Sequence, residues 1–171
     1  MVFMETIVNK VAQSGIITLD LQELILDNKA IEKIDLKDYL FQELLLREKD
    51  FRASMLAIDW SIYKDKYVAI YCSSEAIIPM WAYMLIGAYL SDVAADYYFG
   101  TPEQLKDLTL TKRITELDTT RFVDARVVVK GCGDNSVSEN GFLKISQFLK
   151  PLVKSLMYGE PCSTVPIYKK K

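Results

Sequence analysis

Histidine is absent from this chain of 171 residues. The absence excludes a Ser-His-Asp triad, a Cys-His dyad, an H-E-x-x-H zinc site and a histidine proton shuttle, because each of them needs an imidazole. Proton transfer would have to use carboxylate, lysine, tyrosine or thiol groups. The sequence therefore leaves open whether this protein is an enzyme.

An excess of charge of one sign is also lacking. The 21 Lys and Arg residues nearly balance the 23 Asp and Glu residues, which gives a net charge of −2. Such a balance provides no bulk positive field to attract nucleic acid. We therefore expect no nucleic-acid partner.

Long apolar runs are missing as well. The longest uncharged stretch, residues 76–91, is shorter than the roughly 20 residues that cross a bilayer, and it contains Pro79 and Gly87. It predicts a buried helix and no membrane contact. The first residues lack the basic start and apolar run of a secretory signal, so we expect a cytoplasmic location.

Residues 64–171 alternate between strand and helix patterns. Apolar, β-favouring runs predict strands at 67–71, 95–99, 125–130 and 153–158. Helix signals lie between them: the uncharged stretch, the Thr101-Pro102-Glu103 start and a capping Ser138. The β-α-β-α-β-α-β order predicts an α/β fold with an open, mostly parallel sheet and helices on both faces, in three layers.

Residues 1–63 form a mostly helical N-terminal segment in this interpretation. Asp35 resembles an N-cap, apolar residues recur at helical spacing from 36 to 58, and residues 16–19 predict a short strand. The chain contains no repeat and no long linker. We therefore predict a single domain over residues 1–171.

The three cysteines follow predicted strands. Cys72 comes directly after the first strand of the core, Cys132 just beyond the third and Cys162 a few residues beyond the fourth. An odd number of cysteines without a C-x-x-C pair argues against a disulfide framework. Because the carboxyl ends of parallel strands share one edge, this placement predicts that the thiols converge.

Three thiolates suit zinc, iron or an iron-sulphur cluster. Without histidine, a carboxylate is a candidate for the fourth ligand. Glu75 lies one helical turn after Cys72, and Glu160 lies two residues before Cys162, with Asp59 and Asp134 as weaker candidates. The sequence therefore predicts a metal-binding protein that functions in metal or sulfur handling.

Two alternatives stay open. In one, the protein is a thiol-dependent enzyme whose Cys72 or Cys162 is a nucleophile that accepts an acyl group or a sulfane sulfur. In the other, it is a non-catalytic binding or assembly module whose cysteines pack as small apolar residues. A nucleotide site is not expected, because Gly131-Cys132-Gly133 lacks the third glycine of the dinucleotide motif.

Several segments of the chain resemble a bacterial family, domain of unknown function 2480. The resemblance spans nearly the whole chain, and its most distinctive stretches, CSSEAIIP, KGC and GEPCSTVP, each contain one cysteine. It supplies no activity and no functional residues. It favours iron-sulphur assembly proteins as partners, and the ten tyrosines of the chain favour a homodimer.

Overall fold

The computed structural model describes residues 15–131, 136–160 and 162–171. These residues form two compact units. Unit 1 combines the described residues of Met1–Ile25 with Thr109–Lys171, and unit 2 is Leu26–Leu108. The single domain over residues 1–171 stays a prediction.

Within the described ranges, the chain forms strands and α-helices joined by short 3-10 turns. The strands are β1 Ile16–Asp20, β2 Ile31–Asp35, β3 Tyr67–Tyr71, β4 Asp96–Phe99, β5 Arg126–Lys130, β6 Ser155–Glu160 and β7 Ser163–Lys169. The α-helices are α1 Glu48–Ala57, α2 Met80–Leu90, α3 Pro102–Thr115 and α4 Glu139–Leu149.

The strands form two open sheets. Unit 1 contains a sheet in the order β1-β5-β6-β7, and unit 2 contains a sheet in the order β2-β3-β4. Neighbouring strands are parallel except for β6 and β7, which form an antiparallel hairpin. The predicted α/β class with open, mostly parallel sheets is confirmed. The four predicted core strands, however, are divided between the two sheets, because a strand pattern records burial and not the pairing partner.

One inner strand of each sheet, β3 in unit 2 and β5 in unit 1, is buried on both faces. In β3 the run from Val68 to Ile70 is at most 4% exposed, and in β5 the run from Val127 to Val129 is equally buried. Apolar, β-branched runs are typical of such positions, since both faces of a parallel sheet are covered. These two strands were the clearest strand signals in the sequence.

The N-terminal segment contains more helical turn than strand, as predicted, but it also supplies one edge strand to each sheet. The predicted strand at 16–19 is confirmed as β1, whereas β2 was missed because its Ile-Glu-Lys-Ile-Asp sequence is largely polar. Asp35 is a cap, since its Oδ1 accepts a hydrogen bond from the Lys37 N–H. It caps the 3-10 turn Leu36–Tyr39, and the α-helix begins only at Glu48.

Helix α2 occupies the uncharged stretch that was predicted to be buried. Its residues Ala82, Ile86 and Leu90 are fully buried, whereas Met80 and Met84 are 72% and 75% exposed. The helix is therefore buried on one side only. No helix among the described residues has both the length and the apolar character to span a membrane.

Candidate functional site

The two described cysteines lie in different units. Cys72 is the first residue after β3 in unit 2, where it is half-buried against the apolar core, and its Sγ lies 3.3 Å from the Ser74 Oγ. Cys162 is exposed at the turn between β6 and β7 in unit 1. Both are free thiols. Cys132 lies outside the described residues.

The prediction of a metal-binding function is wrong. Nowhere in the described part of the chain do three or more His, Cys, Asp or Glu residues form a group that could hold a metal ion. The prediction required Cys72, Cys132 and Cys162 to share one sheet edge, but β3 belongs to one sheet and the β6-β7 hairpin to the other. The zinc or iron cofactor was inferred from that shared edge.

The predicted carboxylate ligands that the structure describes make other contacts or face solvent. The Glu160 Oε1 lies 4.0 Å from the Lys130 Nζ, and Glu75 is exposed in the loop after Cys72. The Asp59 Oδ1 accepts a hydrogen bond from the Ser61 N–H and so caps a 3-10 turn. Asp134 lies outside the described residues.

In unit 2, Asp35 braces the loop that begins at Cys72. Its Oδ1 accepts hydrogen bonds from the backbone N–H groups of Ser73 and Lys37, each at 3.0 Å. Partial burial raises the pKa of Asp35, but the hydrogen bonds from Ser73 and Lys37 outweigh it and the pKa lies below its ordinary value. Near neutral pH, Asp35 is therefore an ionised carboxylate that stabilises the loop.

Tyr83 is the titratable neighbour of Cys72. Burial raises the pKa of Tyr83, and the charge of a Cys72 thiolate raises it further. A tyrosine with a raised pKa stays protonated near neutral pH and does not accept the thiol proton. The geometry around Cys72 thus fits a packed thiol better than an activated nucleophile.

A row of charged side chains crosses the carboxyl edge of the sheet in unit 1. Lys130, at the end of β5, places its Nζ 3.1 Å from the Asp20 Oδ2 at the end of β1, with Glu160 of β6 on its other side. The hydrogen bond to Asp20 and the nearby carboxylates raise the pKa of Lys130. The amine therefore stays charged and lies between the ends of three neighbouring strands.

A cavity of about 310 Å³ lies between helix α4 and strands β5 to β7 of unit 1. Its lining residues are mostly apolar: Val129, Phe142, Ile145, Ser146, Leu156, Met157, Tyr158 and Ile167. The Ser146 Oγ donates a hydrogen bond to the Phe142 carbonyl oxygen at 2.8 Å. The serine hydrogen is thus bound within the helix, and the walls offer apolar contact.

The mouth of this cavity is marked by the lining side chains that reach solvent. Tyr158 is 38% exposed and Ile167 is 56% exposed. The Tyr158 ring meets the Phe142 ring edge to face, with 5.5 Å between centroids. An aromatic pair and an aliphatic side chain therefore border an opening into an apolar interior.

The cavity was not predicted from the sequence. Phe142, Ile145 and Leu149 recur at helical spacing, but this pattern predicts a helix packed on a core and not an empty volume beside it. Strand β7, which supplies Ile167, was missed because Pro166 interrupts its pattern. Alternating apolar residues after Cys162 were the available signal for this hairpin.

A smaller cavity in unit 2 has a different character. Its volume is about 200 Å³, and its lining contains acidic and basic side chains in equal number: Glu32, Lys33, Glu103 and Lys106. The Glu103 carboxylate accepts hydrogen bonds from the Glu103 backbone N–H and from the Thr101 side chain, and both lower the pKa of Glu103. The charges of Lys106 and Lys33 lower this pKa further. The charges of this cavity compensate one another, so it lacks the net charge that would select an ionic ligand.

Comparison with known proteins gives one match. No curated protein and no solved structure matches this chain. A family model described as "Protein of unknown function (DUF2480)" matches residues 5–170. The match covers nearly the whole chain, so this protein belongs to the DUF2480 family, as the sequence resemblance indicated.

Proposed function

We propose that this protein is a binding protein that holds an amphipathic ligand, such as a medium-chain fatty acid, in the cavity beneath helix α4. The observation that supports the proposal is the cavity itself, with about 310 Å³ between α4 and the sheet of unit 1. Ligand cavities usually begin at roughly 300 Å³ and are lined mainly by apolar side chains. The proposed function is therefore the binding of a ligand in this cavity.

The volume sets the size of the ligand. A cavity of roughly 150 Å³ with apolar walls accommodates a benzene molecule. The cavity of about 310 Å³ is twice that size and suits a chain of several methylene groups. Each methylene that leaves water for such a site contributes about 0.8 kcal/mol.

The mouth sets the polarity of the ligand. The interior walls carry no charged side chain, whereas Tyr158 and Ile167 border solvent. A ligand with an apolar tail inside and a polar head at the mouth keeps its head hydrated, which avoids the cost of burying a charge. These features favour a fatty acid over a sugar or a nucleotide.

The experiment is a calorimetric titration with decanoic acid, using two matched variants of helix α4. Ser146→Trp places an indole in the cavity, and Gln147→Trp places the same indole on the exposed side of the helix. We expect Ser146→Trp to raise the Kd at least tenfold and Gln147→Trp to leave it unchanged. Circular dichroism checks that both variants fold.

Two results would contradict the proposal. One is that the unmodified protein binds no decanoic acid at millimolar concentration. The other is equal affinity in folded Ser146→Trp and Gln147→Trp proteins, because binding would then occur outside the cavity.

We also assign the protein to the cytoplasm. Cys72 and Cys162 are free thiols, which fits a reducing compartment. Alkylation tests this assignment when the reagent is added to intact cells and kept present while the protein is unfolded. In cytoplasmic protein both thiols are reduced, so both will carry the label. Iron-sulphur assembly partners stay a prediction.

A further inference from the structure

Helix α2 presents apolar side chains to solvent. The stretch 76–91 contains no charged residue, and Met80 and Met84 are 72% and 75% exposed. An amphipathic helix at a protein surface usually carries polar residues on its outer side. Exposed apolar side chains that adjoin one another mark contact sites for partners.

Strand β4 borders the same side of α2. The Tyr83 ring meets the Phe99 ring edge to face at 5.3 Å, and a Cβ built on Gly87 would lie 3.5 Å from the Tyr97 ring. Residues three and four apart share one side of a helix, so Met80 and Met84 adjoin Tyr83 and Gly87. We call the exposed group Met80, Met84, Tyr97 and Phe99 the edge strip.

The edge of β4 lacks lysine and proline, two of the features that keep strands apart, but the strand is only four residues long and the Tyr97 N–H donates a hydrogen bond to the Asp96 Oδ1 at 2.9 Å. Of the described strands, β3 is the one that pairs with β4, which leaves the other edge of β4 at the border of the sheet. Natural edge strands are blocked by lysine, proline or irregular pairing. Strand β7 has Pro166 and Lys169, whereas β4 is Asp-Tyr-Tyr-Phe, with a single charge at its start.

We propose that β4 and the edge strip form the interface of a homodimer, in which β4 pairs with β4 of a second copy. The pairing is antiparallel about a two-fold axis and joins the two three-stranded sheets into one. Backbone hydrogen bonds and the apolar side chains of both copies hold this interface.

The charge pattern favours a second copy as the partner. In an antiparallel pair, each Asp96 lies near the far end of the opposite strand, so the two carboxylates are at opposite ends of the interface. Tyr97, Tyr98 and Phe99 occupy the uncharged centre. The surface is thus complementary to itself.

The exposed area also fits a dimer. Met80, Met84, Tyr97, Tyr98 and Phe99 expose between 36% and 75% of their surfaces. With roughly 200 Å² for each large side chain, about 500 Å² of each copy becomes buried. The total of about 1,000 Å² for both copies is the size at which specific interfaces begin.

The test is the molar mass in solution, measured by size-exclusion chromatography with light scattering at about 100 μM protein. We expect the unmodified protein to have twice its chain mass of 19.5 kDa. The variant Met80→Glu/Met84→Glu should have the mass of one chain. Leu56→Glu is the matched control and should stay dimeric, because Leu56 is also 75% exposed in unit 2 but lies on α1, outside the edge strip.

Hydrogen exchange tests the strand pairing separately. Amides of residues 96–99 should gain protection with rising concentration in the unmodified protein and not in Met80→Glu/Met84→Glu. A monomeric unmodified protein overturns the proposal, as does a dimer that persists in the folded double variant. Should the double substitution prevent folding, Met84→Lys is the second variant. It should also have the mass of one chain.

Discussion

The two units of this protein place their apolar surface differently. Unit 1 lines a half-open cavity beneath α4 with apolar side chains, and its edge strand β7 contains Pro166. Unit 2 surrounds Phe51 with aromatic rings and leaves Met84 and Phe99 at the surface. A concave apolar cavity suits a small ligand, whereas an apolar strand edge suits another protein surface. The contrast therefore underlies the two proposals, a small ligand in unit 1 and a second copy at the edge strip of unit 2.

The largest expected effect compares the packing of the two units. Phe51 is fully buried and contacts Tyr39 and Trp81 edge to face, whereas Phe142 borders the cavity and is half-buried. We expect Phe51→Ala to lower the free energy of unfolding by about 3–5 kcal/mol. Phe142→Ala should cost about half as much, because its ring already lacks contacts on the cavity side.

Urea denaturation measures both losses. Leu56→Ala is the control and should change the free energy of unfolding by less than about 0.5 kcal/mol, since Leu56 is 75% exposed. Equal losses for Phe51→Ala and Phe142→Ala would show that the two sites are equally well packed. That result would contradict the difference in packing between the two units.

The next effect compares one glycine of each unit. Gly159 has φ +117° and Gly100 has φ +148°, so alanine is strained at both positions. A Cβ at Gly159 would lie 2.6 Å from the Ser163 carbonyl oxygen, whereas a Cβ at Gly100 would meet two side chains, the Gln104 Oε1 at 2.6 Å and the Tyr98 ring at 2.9 Å. These two side chains can rotate aside, at the cost of the hydrogen bond that the Gln104 Oε1 accepts from the Thr101 N–H, whereas the paired backbone of the hairpin cannot.

We therefore expect Gly159→Ala to cost about 2–3 kcal/mol and Gly100→Ala about 1–2 kcal/mol. Thermal unfolding of both variants gives the comparison. A larger loss for Gly100→Ala would mean that the hairpin of unit 1 is less tightly fixed than its pairing indicates.

The smallest effect concerns the two described thiols. Cys162 is exposed in unit 1, whereas Cys72 is half-buried in unit 2 and contacts the Ser74 hydroxyl. We expect iodoacetamide at pH 8 to modify Cys162 about tenfold faster than Cys72, because burial restricts access. Mass spectrometry of the labelled peptides gives the rates, with the urea-unfolded chain as the control in which both react alike.

Faster labelling of folded Cys72 than of unfolded Cys72 would reverse this comparison. It would favour the alternative in which Cys72 is an activated nucleophile. It would also show that Tyr83 and Ser74 increase the reactivity of the Cys72 thiol.

Local signals explain which parts of the fold were predictable. Strands β3 and β5 are buried on both faces, so their unbroken apolar runs are visible in the sequence itself. Ser138 was predicted as a helix cap, and its Oγ accepts a hydrogen bond from the Gly141 N–H. Such features depend on a few neighbouring residues.

Strand partners depend on distant residues and were not predictable in the same way. Cys72 does follow β3 directly, as predicted, but the sequence does not show that β3 pairs with β2 and β4 and that β5 pairs with β1 and β6. The metal hypothesis failed at this step. The cavity and the edge strip were missed for a related reason, since both arise from packing between elements.

The discontinuity of unit 1 has a consequence for biosynthesis. Ile16 of β1 pairs with Arg126 of β5, and the whole of Leu26–Leu108 lies between them in the chain. A ribosome that adds about 5–20 residues per second makes β1 wait on the order of ten seconds for its partner. All three strands of unit 2 emerge during this interval. Nascent unit 2 is thus able to fold first, and unit 1 assembles once β5 has emerged.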